Sequence, residues 1–202
     1  MTKALIAGAL ILLATGCQRE PAGAKVSFVE TRVDESQSPL PFVIALANLG
    51  GAATDVIGVT IDVVDGMVVW NPYGIADSGQ STTVTPSDFL IEMREGHPTK
   101  VPARGEGVAC GFVEWEYPVK SPALVAAVSA RFRVKLANGA TIETPPRVFL
   151  ASTTTGMAKL MLEELTLDRD EAVALQARVE ALPGERTENV ERLLEKLRTL
   201  AK

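Results

Sequence analysis

The chain predicts a mainly β protein: an antiparallel sandwich followed by a short helical region. Three observations carry this. Residues 25–151 break into short runs rich in Val, Ile, Thr and Phe, separated by Gly, Pro and Asn clusters. No helical pattern intervenes, which argues against parallel βαβ units. After Gly156 the period changes, and leucines recur at helical spacing to the C-terminus.

The chain opens with Lys3 and an apolar run from Ala4 to Ala14. The run is too short to cross a bilayer, which takes roughly 20 apolar residues. Positive charge, apolar run and small residues form the pattern of an export signal. It ends in Leu13-Ala14-Thr15-Gly16-Cys17, which resembles the lipobox of bacterial lipoproteins, with Ala14 where that family commonly has Leu. The resemblance implies removal of residues 1–16 as a signal peptide and lipidation of Cys17. A thiolate is the natural nucleophile for a thioether to a diacylglyceryl group. One acyl chain holds a protein marginally, so the palmitate-type chains of that family act together as a membrane anchor. Gln18, not Asp, follows the cysteine. In the resembling lipoproteins this implies the outer membrane, with the body facing the periplasm. Residues 17–24 form a short polar tether.

In the body, Val26 to Val33 reads as a strand, broken by Ser38-Pro39-Leu40-Pro41. Phe42 to Leu49 is apolar on both faces, as a fully covered strand would be. Asn48-Leu49-Gly50-Gly51 is a turn. Val56 to Val64 alternates, and Asp65-Gly66 predicts a hairpin into Met67 to Trp70. Asn71 to Gly74 turns again, and Gln80 to Thr85 and Phe89 to Arg94 are weaker strands. Gly107 to Tyr117 is a long strand with Val113, Trp115 and Tyr117 on one face and Glu114 and Glu116 on the other. The cleanest alternation sets Ala130, Phe132, Val134 and Leu136 against Arg131, Arg133 and Lys135. Asn138-Gly139 predicts a type I′ hairpin into Ala140 to Thr144.

The apolar strand ending in Asn48-Leu49-Gly50, with the later Pro102-Ala103-Arg104-Gly105 before a strand, resembles the immunoglobulin-like modules of bacterial envelope proteins. The resemblance implies an immunoglobulin-like sandwich over residues 25–151. The paired cysteines of antibody domains are absent: the chain has 2 Cys, and one is Cys17. Cys110 is therefore expected as a buried, unreactive thiol.

Residues 152–202 read as a helical region. Met157, Leu160, Met161 and Leu165 make one stripe, and Ala172, Leu175, Val179 and Leu182 a second. Between them Asp168-Arg169-Asp170-Glu171 resembles a capping box. Pro183-Gly184 stops the second helix, and Thr187 is placed to cap the third. Its stripe is Val190, Leu193, Leu194, Leu197 and Leu200. The last two helices are expected as an antiparallel hairpin, with Leu193, Leu197 and Leu200 as candidate partner-binding positions.

A net charge of −5 gives no sign of nucleic-acid binding and argues against an electrostatic hold on anionic lipid. His97, the only histidine, reads as a solvated loop residue. Asp62, Asp65, Asp77 and Asp88 lack a calcium-loop spacing. Trp70, Tyr73, Trp115 and Tyr117 read as packing residues, and Glu114 with Glu116 as a solvated face that the Arg131 row neutralises. No residue is assigned as catalytic and no cofactor is called for. The expectation is a lipid-anchored envelope protein, not an enzyme, that binds a protein partner. The alternatives are a small carboxylate hydrolase or a chaperone-like stress protein working through its helices.

Overall fold

A computed structural model describes residues 23–70, 89–93, 100–115 and 124–202. Its elements run β1 (Val26–Val33), β2 (Leu40–Asn48), β3 (Thr54–Trp70), β4 (Phe89–Met93), β5 (Lys100–Val101), β6 (Gly105–Trp115), β7 (Val125–Leu136), β8 (Thr141–Glu143) and β9 (Arg147–Ser152). Then follow α1 (Met157–Glu164), α2 (Arg169–Ala181), β10 (Glu185–Arg186) and α3 (Glu188–Leu200). A four-stranded sheet has the order β1-β2-β6-β4. A larger sheet has the order β10-β9-β7-β3-β5, with β8 beside β7. Every pairing is antiparallel except the short parallel contact of β10 with β9.

The two sheets close on one core. Leu40, Phe42, Ile44 and Leu46 of β2 and Ala109, Val113 and Trp115 of β6 meet Val59 and Val63 of β3, Phe132 and Val134 of β7 and Phe149 of β9. Phe42 and Phe132 touch across it with ring centroids 5.0 Å apart. The alternation of β7 is realised as expected: Phe132, Val134 and Leu136 point inward.

A second core lies on the other side of the larger sheet. Met67 and Val69 of β3, Val125 and Ala127 of β7, and Val148 and Leu150 of β9 are covered by all three helices. Leu193, Leu194 and Leu197 are fully buried there. Leu200 is half-buried against the same cluster. Leu193 and Leu197 are therefore core, not a partner surface, which corrects the reading of this stripe. Their apolar area is already spent on the sheet.

The predicted hairpin at Asp65-Gly66 is not one. β3 runs straight through it, pairing with β7 on both sides. The ladder shifts between Val63 and Asp65, so Val64 is an extra residue. A bulge of one residue sends every later side chain to the opposite face. Ile61 and Val63 face the inter-sheet core, whereas Met67 and Val69 face the helices. Asp65 contributes by accepting the Gly66 N–H at 2.8 Å. Two turn-forming residues here shape a bulge within a strand.

The Asn138-Gly139 hairpin exists, with different geometry. Among these residues only Gly139 has positive φ, at 86°. The Gly139 N–H donates to Leu136 O, and the Leu136 N–H to Ala140 O. This is a type I turn closed by a left-handed glycine, not a type I′ turn.

The Asp168–Glu171 capping box forms as expected. Thr187 stands at the N-cap position of α3, but its hydroxyl makes no cap bond. It donates elsewhere, as described below. The last turn of α3 reaches both ends of α2: Arg169 donates to Ala201 O, and Arg198 pairs with Glu180. The start of α2 thus lies against the end of α3, and the two helices pack on each other in the second core. β10 lies between them and ties the connection to β9. Gly184, with φ 126°, passes so close to the Pro146 carbonyl that a Cβ there would meet its oxygen at 2.5 Å.

Candidate functional site

Several positions singled out in the sequence lie outside the described residues: Cys17, Tyr73, Asp77, Asp88, His97, Glu116 and Tyr117. The others are distributed, not gathered. Trp115 is buried between the sheets, and Trp70 packs beside the helices. Glu114 is exposed. The Arg131 and Arg133 guanidiniums serve their neighbours in the sheet, not a Glu114 row. Both reach the Asp62 carboxylate, at 3.0 and 3.1 Å, and Arg133 also pairs with Glu143 at 3.0 Å. These four charges cover the part of the larger sheet that the helices leave open. Among the described residues no cluster of His, Cys, Asp or Glu could hold a metal ion.

The buried carboxylate is Glu35, which the sequence pattern did not mark. It sits in the turn between β1 and β2, 5% exposed. Its Oε1 accepts the Leu150 N–H at 2.5 Å and the Thr187 hydroxyl at 2.7 Å. β10 pairs β9 only along Arg147 and Val148. Glu35 thus caps the edge of β9 where that pairing stops. Burial pushes its carboxyl above the ordinary range, although Thr187, Leu150, Asn189 and Arg147 pull the other way. Beside it the Arg147 guanidinium donates to Thr31 O at 2.8 Å. A carboxylate whose oxygen is shared by a strand amide and a helix-start hydroxyl is a fastener for three segments. Its donors are already taken up in holding them.

The four-stranded sheet offers the candidate binding surface. On its outer side Val29 is 54% exposed, Val43 41% and Val108 37%. Ala45 lies beside Val108 in register, and Val43 beside Cys110. Val29 is the extra residue of a bulge in β1, between Phe28 and Glu30. A shallow groove of about 390 Å³ follows this face, lined by Val29, Ala45, Gly107 and Val108 with Lys100 and Glu106 at its rim. Cys110 is a free, buried thiol on this side of β6, not on the core side. Val108, Cys110 and Phe112 share one face of β6 by the alternation of the strand. What it could not show is that this apolar face is the outer one.

The molecule is thus a mainly β protein of antiparallel sheets, carrying three helices on one sheet and an apolar groove on the other. Among the described residues no helix is long and apolar enough to cross a membrane. No family model and no curated protein matches the chain. A solved structure, the X-ray structure of Northeast Structural Genomics Consortium target SoR45, is similar at 12% identity. The match covers 64% of this chain and 83% of that one, with a TM-score of 0.20, too low to carry an argument.

Proposed function

We propose that this is a lipid-anchored envelope protein that works as a non-catalytic binding module. In this reading the acyl chains on Cys17 hold it at the periplasmic face of the outer membrane. The body is an immunoglobulin-like sandwich. Its support is Asn48, whose side chain joins the two turns that carry the resemblance. Asn48 Oδ1 accepts the Lys25 and Gly50 N–H groups, and its amide donates to Ala52 O and Pro102 O.

The partner is an envelope protein with an apolar surface, and it engages the outer face of the four-stranded sheet. The observation that carries this is a set of exposed valines on one outer face: Val29 and Val108 line the groove with Ala45, and Val43 follows on the same face of β2. Grouped exposed apolar residues mark interaction sites more than single ones do, and here the exposed Glu30–Arg32 ion pair of β1 borders them beside Ala45 and Val43. The α3 leucines, committed to the second core, leave this face as the better candidate.

A photo-crosslinking amino acid placed at position 43 tests the reading in intact cells. It is expected to give a discrete protein adduct, and the same probe at Thr60, on the charged face of the other sheet, is expected to give none. Equal labelling from both positions, or none from position 43, overturns it.

A further inference from the structure

One end of the sandwich is poor in carboxylates among the described residues. The turn after β2 (49–53), the β5–β6 turn (102–104) and the β7–β8 turn (137–140) meet there. They surround Gly23 to Lys25, where the chain enters β1. The Leu49 N–H donates to Lys25 O at 2.9 Å, the Arg104 N–H to Gly50 O at 3.1 Å, and the Ala137 N–H to Asp55 O at 2.8 Å. Gly50 has no room for a side chain, since a Cβ would meet Gly23 O at 2.1 Å. The turns are therefore held as one surface.

That surface is made of Ala, Gly, Pro, Asn, Leu and Arg, and the three turns contain no carboxylate. Leu49 stands at its tip, 69% exposed. Lys25 and Lys100 are exposed beside it, and Arg104 adds a third cation. The nearest acids are Asp55, directly opposite Lys100 in the β3–β5 register, and Glu106, which lines the same groove as Lys100; Lys25 and Arg104 lie nearer the tip. This local composition runs against a chain of net charge −5. Near the far end, the β1–β2 turn carries Asp34, held ionised by Ser36 and Gln37.

We propose that this end of the sandwich rests on an anionic lipid surface. Leu49 enters the boundary between headgroups and acyl chains, and Lys25 and Lys100 face lipid phosphates. A basic rim around an apolar tip is the chemistry of interfacial binding. The proposal rests on the lipid-anchor reading above. Cys17 stands six residues before Gly23. The connection spans at most roughly 20 Å when extended, so the end at its root meets the bilayer first. The whole-chain charge argues against such a hold, but the distribution of charge reverses that argument here.

Hydrogen–deuterium exchange of the full lipidated chain tests the proposal. The vesicles would be phosphatidylcholine alone, or phosphatidylcholine with phosphatidylglycerol. Amides of 49–53 and 103–104 are expected to exchange several-fold more slowly on the anionic vesicles, with α2 unchanged. The Leu49→Ser, Lys25→Glu, Lys100→Glu variant should stay on the vesicles and lose that protection. Equal exchange on the two vesicles, or protection that survives in the variant, overturns the proposal. Fractionation of Cys17→Ser tests the anchor separately. If cells leave Cys17 bare, coupling its thiol to a maleimide lipid gives the same comparison, so the two failures are distinguishable.

Discussion

The outer faces of the two sheets have met opposite fates. β2 and the first half of β7 are both apolar on two sides. In β7 the second side, Val125 and Ala127, is fully buried under the helices. In β2 the second side, Val43 and Ala45, remains open. Similar sequence patterns thus describe a covered strand in one sheet and a partly bare one in the other. The difference lies in which sheet the C-terminal segment reaches. The bulge at Val64 turns Met67 and Val69 outward, and so supplies the helices with an apolar floor.

The largest expected effect comes from removing the cover. Truncation after Ser152 exposes Met67, Val125, Val148 and Leu150 at once. The remaining body should lose its near-ultraviolet circular dichroism and aggregate. A truncated body that stays folded would mean that the helices are an appendage. On a smaller scale Leu193→Ala should cost about 2–5 kcal/mol in urea unfolding, as full burial of a leucine implies.

Glu35 comes next because it fastens the helical layer to the β1–β2 turn. Glu35→Ala leaves the Leu150 N–H and the Thr187 hydroxyl without their acceptor, and should cost about 2–4 kcal/mol. The sign of its pH dependence follows from the raised carboxyl. The folded state holds the proton more tightly than the unfolded state. The stability from this group is therefore full below its unfolded pKa and lost as pH rises through the folded one. Asp34 and Glu180, both lowered, act in the opposite sense at more acidic pH. Glu35→Gln should flatten the stability profile above the ordinary carboxylate range; an unchanged slope there would remove Glu35 as its source.

A smaller effect is expected at Ser129, whose hydroxyl donates to Pro183 O and ties β7 to the chain between α2 and β10. Ser129→Ala should cost about 1 kcal/mol in the same unfolding measurement. A null result would place the tie elsewhere in the second core.

Strands and helices were legible in the sequence wherever one face was polar. The charged row Arg131, Arg133 and Lys135 fixed the inward face of β7, and Asp168 with Glu171 marked the start of α2. The errors fall where local chemistry has two uses. Asp-Gly serves a bulge as well as a hairpin, and only the long-range pairing with Ser129 and Val128 decides between them. Leu193 and Leu197 formed a regular stripe, but a stripe states only that something covers it. Glu35 was invisible because its burial depends on β9 and α3, more than 100 residues away. The open valine face was hidden for a similar reason, since exposure is set by what other segments fail to reach.

The claim that one outer face is core and the other is open surface has a direct measurement. The same nearly isosteric change, Val to Thr, can be made twice on each face. Val125→Thr with Val148→Thr places two hydroxyls beneath the helices, and Val43→Thr with Val108→Thr places two on the open outer face. Urea unfolding should show the first pair destabilised by about 2–5 kcal/mol, since a buried hydroxyl without a partner costs about 1–3 kcal/mol each. The second pair should stay within about 1 kcal/mol of the parent, as exposed substitutions do. Equal losses from the two pairs would contradict the account.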